Sequence, residues 1–179
     1  MRELCPEMNV ERRMETLQWF ALVVKHQHER GVEQALRFSG IETCLPLYGE
    51  RRRWSDRVKQ QEVPLFPGYV FGRFDYRQRV AVLRAPGVAR VVGFGGQPAA
   101  LEDSEIDDIR RALSSRLPLR PWPYLKPGDR VRLEHGPLRG MQGRLLREKS
   151  GLRFIIGVEL LQRSLAVEVE SDMLAPLGD

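Results

Sequence analysis

Pro64-Leu65-Phe66-Pro67-Gly68-Tyr69-Val70-Phe71 stands near the middle of a 179-residue chain, and its two prolines and one glycine force a sharp change of direction just before a strand. Tyr69, Val70 and Phe71 are aromatic and β-branched residues, the types that favour a pleated, half-buried surface. Tyr69 and Phe71 lie two apart, so they share one face of that strand. With Phe66, three rings leave a rigid corner, and each has two roles open to it: filling the sheet's own core, or holding a partner.

Outward from this corner the chain alternates strand and helix patterns. On the N-terminal side, Trp19-Phe20-Ala21-Leu22-Val23-Val24 is an apolar run of strand length. A polar stretch follows in which Val32, Ala35 and Leu36 fall at helical spacing, and Gly40 supplies the stop. Glu42 to Tyr48 reads as a second strand, Gly49 to Gln61 as a polar, Arg-rich connection, and Gly68 to Phe74 as a third strand. Asp75 can cap a helix whose Tyr76, Val80 and Leu83 make one apolar face, ending before Ala85-Pro86-Gly87. Val88 to Phe94 is a fourth strand, broken by Gly95-Gly96. Ile106, Ile109 and Leu113 mark a last helix, acidic at its start (Glu102, Asp103, Glu105) and basic later (Arg110, Arg111), as the helix dipole favours. The order β-α-β-β-α-β predicts an α+β domain over 18–116, a ferredoxin-like sandwich with an antiparallel sheet, preceded by a mobile tail, 1–17.

Pro118, Pro121, Pro123 and Pro127 then point to a semi-rigid, extended linker over 117–126. Beyond it, over 127–179, Val131 and Leu133 alternate with Arg130 and Arg132, and Leu165, Val167 and Val169 with Ala166 and Glu168. Turn signals at Gly136-Pro137, Gly140, Gly143, Lys149-Ser150-Gly151 and Gln162-Arg163 divide this segment into about five short strands, which predicts a small β-barrel.

Lys plus Arg number 29 against 24 Asp plus Glu, a formal charge of +5, which suits contact with a polyanion without a histone-like excess. No apolar run reaches the ~20 residues a membrane-crossing helix needs, and the N-terminus lacks the order of a signal peptide, so a cytoplasmic protein is expected. Cys5 and Cys44 are too few for a disulfide scaffold. His26 and His28 diverge on a helix, with no pattern to complete a metal site, and the acidic cluster Glu102, Asp103, Glu105, Asp107, Asp108 fits a helix N-terminus better than a cation. With no nucleophile elbow, phosphate loop or paired-carboxylate motif, neither an enzyme nor a cofactor is expected.

Gly136-Pro137-Leu138-Arg139-Gly140-Met141-Gln142-Gly143, after Lys126-Pro127-Gly128-Asp129-Arg130-Val131, looks like a KOW motif of an SH3-like barrel. Trp19 to Leu22, Leu65 to Phe71, Gly87-Val88 through Val92-Gly93-Phe94 and this segment, in that order, resemble the NusG family of transcription elongation factors from Gln18 to Leu177. Pro64 to Asp75 and Gly93 to Ala99 look closer to the specialised paralogue RfaH, the KOW segment closer to NusG. The resemblance implies a bacterial elongation and antitermination factor, acting as a monomer. Its NGN domain would bind the clamp helices of the RNA polymerase largest subunit and suppress pausing, through a pocket of Val23, Phe66, Pro67, Gly68, Tyr69 and Phe71. The KOW domain would couple polymerase to a small-subunit ribosomal protein or to Rho through Leu160, Leu161 and Arg163, two exposed leucines beside an arginine, although one leucine could equally close the barrel core.

Arg51-Arg52-Arg53-Trp54, with Arg57 and Lys59, reads either as a solvated face or as a contact for upstream or non-template DNA, guanidinium on phosphate and Trp54 on a base. The resemblance implies that this side faces nucleic acid. Gln78-Arg79-Val80-Ala81-Val82 lacks the histidine and threonine cluster with which RfaH meets the polymerase gate loop. Alternating, β-branched residues from Ile155 to Val169 favour a stable barrel over the helical hairpin RfaH can adopt. The alternative function is a KOW-type RNA-binding or ribosome-associated module, with affinity in 124–179.

Overall fold

The structure, a computed structural model, describes residues 17–53, 58–123, 130–148, 151–158 and 161–176. Along the chain run β1 (Gln18–Val24), α1 (Glu29–Phe38), β2 (Glu42–Cys44), β3 (Leu47–Arg53), β4 (Val58–Pro64), β5 (Tyr69–Phe74), a 3-10 turn (Tyr76–Gln78) and α2 (Arg79–Leu83). Then come β6 (Val88–Val91), β7 (Gly93–Phe94), β8 (Gln97–Pro98), β9 (Ala100–Leu101) and α3 (Asp103–Ser114). The last strands are β10 (Leu119–Pro123), β11 (Arg130–Leu133), β12 (Gln142–Glu148), β13 (Gly151–Val158), β14 (Arg163–Val169) and β15 (Leu174–Pro176). Contacts group these elements into two compact units: the described residues up to Leu45 with Pro67–Asp103, and Pro46–Phe66 with the described residues from Ser104 onward.

The first unit is built on an antiparallel sheet in the order β2-β5-β1-β6, with β9 also on β1. This is the strand order of a split βαβ arrangement, as the alternation of elements predicts. Along β1 and β5, Phe20, Leu22, Val24, Val70 and Phe74 take one face and pack with Val32 and Leu36 of α1 and Val82 of α2. The Phe20 ring lies 4.9 Å from that of Phe74 and 5.6 Å from that of Tyr76. Helix α1 ends in a Schellman motif. Ile41 N–H donates to Leu36 O at 3.0 Å and Gly40 N–H to Arg37 O at 2.9 Å, while Gly40 sits at φ +77, and Ile41 packs back onto the cluster holding Leu36. The Asp75 cap expected from sequence is present, its carboxylate accepting from Arg77 N–H.

Two expected strands are divided. The strand read over Glu42 to Tyr48 stops at Cys44, because Pro46 has no N–H to continue the ladder with β5. The chain leaves this sheet there, and the expected Arg-rich connection is instead a two-stranded ribbon, β3 on β4, paired from Leu47↔Pro64 to Arg53↔Val58. Its sequence has no apolar alternation from which strands could be read. The strand read over Val88 to Phe94 ends at Val91; β7 and β8 form a separate hairpin around Gly95-Gly96, at φ +56 and +79, the two positive values of a type I′ turn.

In the second unit six strands run antiparallel in the order β10-β14-β13-β12-β11-β15. Five of them match the strands expected after the linker. The sixth, β10, corrects the expected spacer over 117–126, since Leu119–Pro123 pairs with β14 from Leu119↔Val167 to Pro123↔Arg163. Polyproline and β backbones are neighbours in φ and ψ, and β10 is an edge strand, where Pro121 and Pro123 forfeit no ladder bond on the outer side. In α3 the buried positions are Ile106, Ile109 and Ala112; the expected third one, Leu113, is only half-buried. The glycine turn after β11 is closed by Gly140 N–H to Leu133 O at 2.6 Å and Leu133 N–H to Met141 O at 3.0 Å, and it buries Leu138 and Met141.

Candidate functional site

The β1–β5 register sorts the ring-bearing residues by face. Val23 is paired with Tyr69, and Ala21 with Phe71, which also faces Cys44 of β2. Trp19 is paired with Arg73, which also faces Glu42. These residues occupy the sheet face opposite α1 and α2. That face is graded along the strands. Its Val23–Tyr69 end is apolar and half-buried, its middle is closed by Trp19, Ala21 and Phe71, and its far end is charged. There the Arg73 guanidinium reaches Asp103 at 3.1 Å and Glu42 at 3.7 Å.

The structure therefore brings Val23, Tyr69 and Phe71 together, but not as equals. Phe71 is 0% exposed and serves as core. Phe66, at 2%, is likewise buried and falls in the other contact unit. Reading these two rings as open pocket walls is thus corrected: large aromatic rings gain most by full burial. Val23, Tyr69 and Gly68 remain partly accessible and Pro67 is exposed.

Gly68, at φ +84 after Pro67, occupies the position of a Pro-Gly turn that demands the left-handed region. Its C=O accepts from Val24 N–H at 2.9 Å, and its N–H donates to Glu29 Oε1 at 2.9 Å. Glu29 was not singled out by sequence. The signal was present: Glu29, Val32 and Leu36 lie at i, i+3 and i+7, so a carboxylate stands on the buried stripe of α1, and all three are buried. The neighbouring Gly87 is equally constrained, since an added Cβ would come within 2.9 Å of Val32 Cγ2 and 3.1 Å of His28 Cβ.

Of the basic residues expected to meet nucleic acid, Arg51, Arg52 and Arg53 fall on β3 and Lys59 on β4, with Arg52 directly opposite Lys59 in register. Trp54 and Arg57 lie outside the described residues, as does Leu160 of the C-terminal candidates. Leu161 is 6% exposed, so of the two readings open to the leucines it takes the core one and is corrected as an exposed contact, while Arg163 is exposed at the start of β14. On α3, burial raises the Asp108 carboxyl above its ordinary pKa; Arg111 opposes this and Asp107 adds to it. Arg111 also donates to Arg139 O at 2.7 Å, tying α3 to the glycine turn within the second unit. Away from the sheet, α1 and α2 border an open groove of about 570 Å³ that includes Phe38, 95% exposed, and Arg84.

The family model described as "Transcription termination factor nusG" matches residues 17–110, more than half of the chain and all of the first unit's sheet. The chain belongs to the NusG family. It is 25% identical over 169 residues to the "Transcription termination/antitermination protein NusG" of Campylobacter jejuni, covering 87% of this chain and 95% of that protein. To the Escherichia coli K12 protein of the same name it is 31% identical over 138 residues, 72% of this chain and 71% of that one. Among solved structures, Thermotoga maritima NusG superposes with a TM-score of 0.56 at 22% identity, covering 92% of this chain and 99% of that one, a likeness of fold. NusG membership places the chain among transcription factors, concerned with termination and antitermination.

Proposed function

We propose that this NusG-family chain rides on bacterial RNA polymerase in the cytoplasm, docking residues 18–116 on the clamp helices of the largest subunit and suppressing pausing. The observation that carries the reading is the half-exposed apolar end of the sheet, Val23 beside Tyr69, next to an exposed Pro67 whose turn is held by hydrogen bonds. A tyrosine held on a stiff sheet is a favoured interface anchor, with little ordering entropy to oppose docking. Such a factor works by favouring one state of the polymerase through differential binding, with no bond chemistry. Residues 127–179 would supply the coupling segment toward a ribosomal protein or Rho, with Arg163 on its accessible surface. Arg51 to Arg53 and Lys59, on the ribbon, would meet upstream or non-template DNA.

Fluorescence anisotropy with core RNA polymerase tests the docking face. Tyr69→Ala in a folded chain should weaken binding about tenfold or more and shorten the effect on pause lifetime in parallel. Wild-type affinity in that variant would overturn the reading.

One observation favours a second reading, RNA binding by the KOW segment. On β11, Arg130 and Arg132 are exposed while Val131 and Leu133 are buried, and Arg130 lies directly opposite Arg144. Tight, steeply salt-dependent RNA binding by the full chain, abolished by Arg130→Ala/Arg132→Ala and accompanied by no polymerase binding, would favour it.

A further inference from the structure

We infer that Glu29 is a positioning residue for the proposed polymerase face, fixing the direction in which Tyr69 leaves the Pro67-Gly68 turn; the inference rests on that proposed function. Glu29 is 5% exposed, and a carboxylate that far from solvent needs a donor. It has one in the Gly68 N–H at 2.9 Å, 39 residues away in sequence. As the first residue of α1 it also sits at the helix end whose dipole favours negative charge, although the N-cap, His28, makes no side-chain capping bond. The other peptide group of Gly68 is held through its C=O by Val24 N–H at 2.9 Å. Both peptide planes of the turn residue are therefore anchored to one junction, the end of β1 and the start of α1.

The next residue is Tyr69, paired with Val23 on the candidate face. Gly68 has no side chain of its own to define the turn, and an added Cβ would meet nothing within 4 Å. Without the Glu29 bond, the Pro67–Gly68 peptide is free to rotate toward other turn geometries open to glycine. The ring of Tyr69 would then have to be ordered at the moment of docking, at a cost in affinity.

The test uses full-length Glu29→Ala, Glu29→Gln and Tyr69→Ala, with two readouts: affinity for core RNA polymerase, and amide hydrogen exchange at Gly68 compared with the β1–β5 ladder. In the native chain the Gly68 amide should be protected. Glu29→Ala should lose about tenfold in affinity and in Gly68 protection, the ladder amides staying as they were. Glu29→Gln keeps an acceptor oxygen and should stay within about threefold of the native affinity. If Glu29→Ala fails to fold, Glu29→Asp, one methylene short of Gly68, takes its place with the same expected loss. Native affinity in Glu29→Ala while Tyr69→Ala is weakened, an unprotected Gly68 in the native chain, or protection lost equally across the ladder would each overturn the positioning role. Native affinity in Tyr69→Ala would overturn the polymerase reading itself, a separate result.

Discussion

At the scale of single residues, the glycines around the turn from β11 into β12 divide into two kinds. Gly143 lies where an added Cβ would come within 2.6 Å of Ile155 O and 2.7 Å of the Phe154 ring, whereas Gly140 has nothing within 4 Å and only its φ of +87 to defend. Gly143→Ala should therefore destabilise the chain by about 3 kcal/mol, through overpacking against backbone. Gly140→Ala should cost about 1 kcal/mol, through left-handed strain alone. Urea unfolding of the two variants checks the order, and equal midpoints would contradict it. The sequence shows that both are glycines in a turn-rich segment, but the distinction rests on how closely β13 approaches β12. Leu161 teaches the same lesson: as a leucine in a loop it could face a partner or the core, and burial decided for the core.

At the scale of elements, α1 was legible because its buried stripe, its stop at Gly40 and its length all agree. Leu36→Ala, at the C-terminal end of that stripe and fully buried, should cost about 3 kcal/mol, measured as a fall in the urea midpoint with the slope unchanged. Strands β3, β4 and β10 were not legible, because pairing partners, and not local pattern, define them. Arg- and Gln-rich strands carry no period-2 apolar signal, and prolines at an edge resemble a linker. Replacing 119–123 with a Gly-Ser sequence of equal length separates the two views of that segment. Loss of β10 from β14 should lower Tm by several degrees, each kcal/mol being worth roughly 4 °C, whereas a spacer would leave it unchanged.

At the scale of the whole molecule, charge and pH act together. Burial holds the Asp108 carboxyl above its ordinary pKa of 3.8, so the folded chain binds that proton more tightly than the unfolded one. This contribution to stability is present in full below about pH 3.8 and lost as pH rises through the higher folded value. Asp108→Asn should accordingly be more stable than the native chain at neutral pH, the difference shrinking on acidification toward pH 3.8. Thermal melts of both across that range check the sign. The net charge of +5 is small, so any duplex DNA binding by the free chain should be weak and fall away by physiological salt, in contrast to the proposed docking on polymerase through an apolar face.

Sequence alone determined the succession β1, α1, β2, β5, α2, β6 and α3, the strand-rich character of the C-terminal part and the family, since apolar period, proline and glycine punctuation and motif order are local properties of the chain. Tertiary structure decided what depends on contacts between distant residues. It chose which rings are core (Phe66, Phe71) and which stay accessible (Tyr69), it drew β10 out of an apparent linker, and it joined Glu29 to Gly68. Burial and cross-strand pairing are set by what lies opposite a residue in space, and a side chain's type and spacing carry no record of that.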